Sequence, residues 1–161
     1  MTLRAVVVSW DFLSSLIIAV AFGLWLPIWV PNELAKDYYG IGISVLSIVF
    51  SLFFAALAVV ITASDDEFVL FLEAHGDYSA LIANYKFTLG LLFVALVCSL
   101  GLYAYTAGRI SLAVRHQSKY LPTFFCLLFL WGLFAAFKST YDSIKYTDYR
   151  KRFVQAQKHL D

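Results

Sequence analysis

Apolar residues run along this chain in four long blocks, residues 6–30, 41–63, 87–107 and 121–137, separated by polar stretches. Crossing the hydrocarbon core of a bilayer takes about 20 apolar residues in a helix. Three blocks reach that length. The fourth is shorter, with Tyr120 before it and Lys138 after it placed to anchor and snorkel. Inside lipid a backbone must satisfy its own hydrogen bonds, and no alternating barrel pattern occurs, so the blocks predict helices. The expected fold class is all-α: a polytopic membrane protein with four transmembrane helices and cytoplasmic helical extensions, one domain over residues 1–161. The first block carries Arg4 and a cleavage-like Ala19-Val20-Ala21, but its apolar run continues to Val30, which predicts an anchor rather than a removed signal. Trp10 marks one end of that block and Trp25 and Trp29 the other, where indoles settle at headgroup level; Pro27 and Pro31 loosen and end the helix.

Composition agrees with this pattern. The chain is 61% hydrophobic and 14% charged, against about 45–50% and about 25% for a soluble domain. With 161 residues it cannot hide that excess in one water-soluble core. A soluble enzyme, a disordered chain and a nucleic-acid binder driven by bulk charge are excluded, the formal net charge being +1. Cys98 and Cys126 lie inside apolar blocks and read as small core residues rather than a disulfide framework.

Lys and Arg set the expected orientation. With four spans, the N-terminus, the second loop and the C-terminus share a side that carries eight of them; Lys36, Arg109, Arg115 and Lys119 lie on the other. The positive-inside rule places the eight, and both termini, in the cytoplasm of a protein of the inner membrane. Arg109, Arg115 and Lys119 in one outer loop run against the rule.

The polar segments are predicted to be helical too. In residues 64–86, Ser64 with Glu67 makes a capping box, and Phe68, Val69, Phe71 and Leu72 predict a short amphipathic helix that Gly76 stops. Asp77 caps the next helix, which runs from Tyr78 to Ala107, about 45 Å. The tail, residues 138–161, has no Gly or Pro, and Tyr146, Tyr149, Phe153 and Leu160 fall at seam spacing. That seam packs on the chain's own second loop or between subunits. The loop has a net charge of −4 and the tail +3. Asp65, Asp66 and Glu67 on one side and Lys145, Arg150, Lys151 and Arg152 on the other are the candidate contacts to each other, to anionic lipid or to a cytoplasmic protein partner.

Candidate chemistry is sparse. His75, His116 and His159 have no second histidine at ligand spacing, and no Ser–His pair or buried Asp pair suits an intramembrane protease. Neither a metal, a cofactor nor an enzyme activity is expected. Asp65-Asp66-Glu67 reads more simply as helix capping than as a cation site. Asp11, with Ser14 and Ser15, is the one ionisable patch near the mouth of a span: a carboxylate at the interface or paired with a Lys, or an acidic ring at a pore mouth. Ser44, Ser47, Ser51, Ala55 and Ala58 share a helix face, either for close helix packing or to line a narrow pore. Gly90, Gly101 and Gly132 read as packing sites.

In hydropathy, topology and charged cytoplasmic face, the chain resembles the small four-span membrane proteins of prokaryotic anti-phage defence, such as the membrane subunit of Kiwa-type systems. The resemblance spans the chain and carries over no functional residue. It implies a homo-oligomer of the inner membrane that senses damage or a partner and perturbs the membrane. The expected function is therefore a homo-oligomeric, channel-like effector answering a cytoplasmic signal, with Asp11, Ser14, Ser15, Ser44, Ser47 and Ser51 as pore-lining candidates. The alternative is a non-conducting sensor, immunity or anchor protein acting through cytoplasmic contacts.

Overall fold

A computed structural model describes residues 9–62 and 77–157, with side chains for 9–58 and 79–144. Among the described residues four helices alternate in direction along the chain: α1 Trp10–Trp25, α2 Asn32–Thr62, α3 Asp77–Ser111 and α4 Tyr120–Gln157. Three of them, α2, α3 and α4, are long and apolar enough to cross a membrane. The 16 residues of α1 reach about 24 Å, short of a hydrocarbon core of about 30 Å.

The helix in the expected first block is thus shorter than residues 6–30. The helix ends at Trp25 because Leu26 precedes Pro27, whose ring forces an extended backbone on it (φ −68°, ψ 141°). The chain then forms β1, Trp29–Pro31, which pairs antiparallel with β2, His116–Ser118. This two-stranded ribbon has no counterpart in an all-α expectation. Its register sets Val30 against Gln117, and both point inward, 2% and 1% exposed. Backbone bonds continue the ladder on each side, from Asn32 N to Arg115 O at 2.9 Å and from Lys119 N to Ile28 O at 3.2 Å. The ribbon answers an accounting need: wherever the chain leaves a helix at the bundle's end, its backbone groups need partners.

The other boundaries also move. α2 begins at Asn32, nine residues before the expected 41, because Glu33, Lys36 and Asp37 form its first turns instead of a loop. Glu33 there favours the positive end of the helix dipole. α3 begins at Asp77 and overshoots its apolar block, as expected. It ends in a Schellman turn: Val114 N bonds Arg109 O and Ala113 N bonds Ile110 O, both at 3.0 Å, with Ala113 at φ 58°. α4 is one helix of 38 residues, uninterrupted from the expected fourth span into the tail. The 64–76 helix, Asp65, Asp66, Glu67 and Leu160 lie outside the described residues.

α4 is the organising element. It packs against each of the other three helices, while α2 packs mainly on α3 and α1 mainly on α4. The core joins Tyr39, Leu46 and Phe53 of α2 to Tyr85, Leu92 and Ala95 of α3 and Phe125 and Leu128 of α4. Phe125 is fully buried, edge-on to Tyr38 and Tyr39, with ring centroids 5.2 Å from each. Gly42 and Gly132 let neighbours approach, Phe125 at the first and Leu92 and Leu46 at the second; Gly90 and Gly101 have open space beside them. Cys126 is buried and Cys98 half-buried, both free. Over the described side chains the outer surface is apolar along all four helices, with Ile17, Ile48, Leu52 and Phe137 each more than 60% exposed. A soluble monomer does not present such a surface to water.

Candidate functional site

At the end of the bundle away from the ribbon, α1 starts against α3 and α4. Asp11 meets Lys138 there, with Oδ1 and Nζ 3.5 Å apart. The Asp11 side chain is 8% exposed and that of Lys138 48%, so the acid is enclosed and the base reaches outward. Ser15, fully buried, donates its hydroxyl to the carbonyl of Asp11 at 2.6 Å. Ser14 lines an apolar groove beside the pair, with Trp10, Phe134, Phe137 and Tyr141. A cavity of about 20 Å³, roughly one water, lies between Asp11, Asn84, Thr88 and Lys138.

Hydroxyls join α3 to α4 beside this pair. The Thr88 and Ser139 hydroxyls are 2.8 Å apart. Ser143 donates to the carbonyl of Ser139, so it accepts from Tyr85 Oη at 2.6 Å. Polar contacts of this kind hold helices together where apolar side chains gain nothing over lipid.

Ser44, Ser47 and Ser51 lie elsewhere. Ser44 and Ser51 are exposed on the outer face of α2, and Ser47 is half-buried beside them. Ser44 donates to Gly40 O at 3.1 Å and Ser51 to Ser47 O at 2.9 Å, so both hydroxyl protons are spent within α2. Ala55 and Ala58 continue the same exposed face, and Ile41 and Ile48 alternate with the serines. No described helix of this chain covers it. The six pore-lining candidates are therefore not gathered on one surface: Asp11, Ser14 and Ser15 face α4, and the serines of α2 face outward.

Lys145, Tyr146, Tyr149, Arg150, Lys151, Arg152 and Phe153 all fall on the continuous backbone of α4, beyond the described side chains. One helix through them keeps the seam positions 146, 149 and 153 on a common face.

Sequence reasoning missed the polar network at the ribbon. Gln117, 1% exposed, donates to Tyr39 Oη and accepts from Thr106 Oγ1, both at 3.3 Å. Ser99 donates to Tyr39 O at 3.0 Å, and Asn32 Nδ2 to Val114 O at 2.7 Å. Two strands of three residues leave too short a period to detect, although polar Gln117 beside Pro-flanked Val30 is a trace of them.

Among the described residues no three His, Cys, Asp or Glu side chains come together as metal ligands. Comparison with family models, curated proteins and solved structures returns no match.

Proposed function

We propose that this chain is a self-associating, non-conducting protein of the inner membrane that passes a cytoplasmic signal or contact into its helical bundle. Four helices lie in the membrane, α1 the shortest, with both termini in the cytoplasm. The observation that carries the reading is the separation of Asp11 from the serine face. The enclosed acid is matched by Lys138, and the hydroxyls at Ser44 and Ser51 already donate to their own helix. What remains on α2 is a face on which small residues at spacings of three and four alternate with Ile41 and Ile48, suited to close approach of a second α2 in lipid. α4 touches every other helix and continues into the tail, so a displacement of the tail reaches the whole bundle. The tail's Arg150, Lys151 and Arg152 meet the partner or anionic lipid. The resemblance to anti-phage membrane subunits makes defence the setting we favour.

The second reading, a conducting oligomer, rests on the outward Ser44 and Ser51, which a ring of subunits turns toward a central axis. Ion flux from liposomes separates the two. Reconstituted full-length protein is expected to leave potassium- and proton-loaded vesicles tight, beside a working control channel. A leak that Ser44→Ile and Ser51→Ile abolish establishes the conducting reading instead.

A further inference from the structure

The ribbon end holds the basic residues that run against the positive-inside rule, and a cavity of about 590 Å³ opens beside one of them, Arg115. Its walls include Asn32 and Glu33 at the start of α2 and Arg115 and His116 entering β2. That is the size of a small-ligand pocket.

Two opposite demands meet there. α2 is 31 residues long, and its first-turn amides after Asn32, whose own N–H is bonded to Arg115 O, have no intrahelical acceptor, which gives this end a positive field. Arg115 and His116 add exposed donors on the same side. Against these stand two acceptors, the Glu33 carboxylate and the amide oxygen of Asn32. Asn32 is 1% exposed, yet its Oδ1 has no hydrogen-bond partner. The amide cannot be turned round to relieve this, because Nδ2 donates to Val114 O at 2.7 Å and the swapped orientation would oppose two acceptors. A buried acceptor without a donor is a standing cost that a ligand's N–H removes. A bare anion leaves Glu33 and Oδ1 unmatched, and a bare cation meets Arg115 and the helix terminus.

We propose that this cavity binds a phospho-amine, a phosphate carried close to a primary ammonium, as in the phosphatidylethanolamine headgroup. The phosphate sits over the first turn of α2 within reach of Arg115 and His116. The ammonium pairs with exposed Glu33 and reaches Asn32 Oδ1, which is enclosed beside the cavity, once the Asn32 amide shifts toward it. Exposed Trp25, Trp29 and Tyr120 ring this end, which sets the cavity at headgroup depth, where such a group is abundant. The inference is independent of self-association through α2.

The test uses lipid-stripped full-length protein in detergent. Phosphatidylethanolamine and phosphatidylglycerol of matched chains are titrated with native mass spectrometry as the readout. Phosphoethanolamine and inorganic phosphate are titrated with thermal shift. Phosphatidylethanolamine is expected to bind at least tenfold tighter than phosphatidylglycerol. Arg115→Glu and Glu33→Lys, both at exposed positions, are expected to lose tenfold or more with helix content unchanged. Saturable binding of phosphoethanolamine with an affinity matching the lipid's identifies a free ligand as sufficient, whereas binding of the lipid alone identifies the membrane as the source; either upholds the site. Equal affinity for both lipids and for inorganic phosphate, or full binding by both variants, overturns it.

Discussion

The ring of Phe125 occupies the space a side chain would take at Gly42. A methyl group there would overlap Phe125 Cζ and lie 3.0 Å from Cε1. The ring cannot swing aside, since Tyr38 and Tyr39 hold it edge-on and it is fully buried. In lipid, helix association depends on such fit rather than on escape from water. Gly42→Ala is therefore expected to destabilise by about 1–3 kcal/mol, the usual range for overpacking. Gly90→Ala, with nothing within 4 Å, is the control and is expected to be neutral or to gain up to about 1 kcal/mol from helix propensity. Thermal unfolding in one detergent compares the two.

Ala113 closes the turn after α3 at φ 58°, a conformation that costs a residue with a Cβ roughly 1–2 kcal/mol. Ala113→Gly removes that cost and adds some freedom to the unfolded chain. The net expectation is a gain of about 0.5–1 kcal/mol, seen as a higher unfolding temperature.

Gln117 bridges Thr106 and Tyr39 in a buried site. Gln117→Ala leaves both hydroxyls short of a partner and opens a void. A loss of about 1–3 kcal/mol is expected, together with faster amide exchange at the paired residues of the ribbon. An unchanged exchange rate at Val30 would show that the network does not hold the ribbon.

Asp11 and Lys138 are unequal partners, because the acid is enclosed and the base half exposed. Lys138→Met leaves an enclosed carboxylate without its cation, while Asp11→Asn leaves a lysine that can turn to water. Lys138→Met is expected to destabilise more. A double-mutant cycle should give a coupling of about 0.5–1 kcal/mol, given the exposure of Lys138.

Much of this architecture was legible in hydropathy. The apolar blocks located the four described helices, and the absence of Gly and Pro after Lys138 foretold that α4 continues. The ends were not legible for physical reasons. Leu26 yields to Pro27, which turned four further apolar residues, Leu26, Ile28, Trp29 and Val30, from helix into a bend and strand. Glu33 and Asp37 look like loop residues, but first-turn acids suit a helix that starts at Asn32. The polar candidates were found as residues and not as a constellation. Spacing put Ser44 and Ser51 on one face of α2, but only tertiary packing shows that the face points outward while Asp11 turns to α4. Asn32 stood at a predicted loop, with no signal that its amide would be buried.

The outer face of α2 is the place to test the central claim. Disulfide formation at Ser44→Cys and Ser51→Cys, in native membranes, reads whether two α2 helices meet there. Cys98 and Cys126 lie half-buried and buried, and Gly90→Cys on α3 serves as the comparison. Self-association through α2 predicts a covalent dimer at twice the 18.2 kDa of the chain for both serine positions and little at Gly90→Cys. Monomer at all three positions, or equal crosslinking at all three, would contradict it.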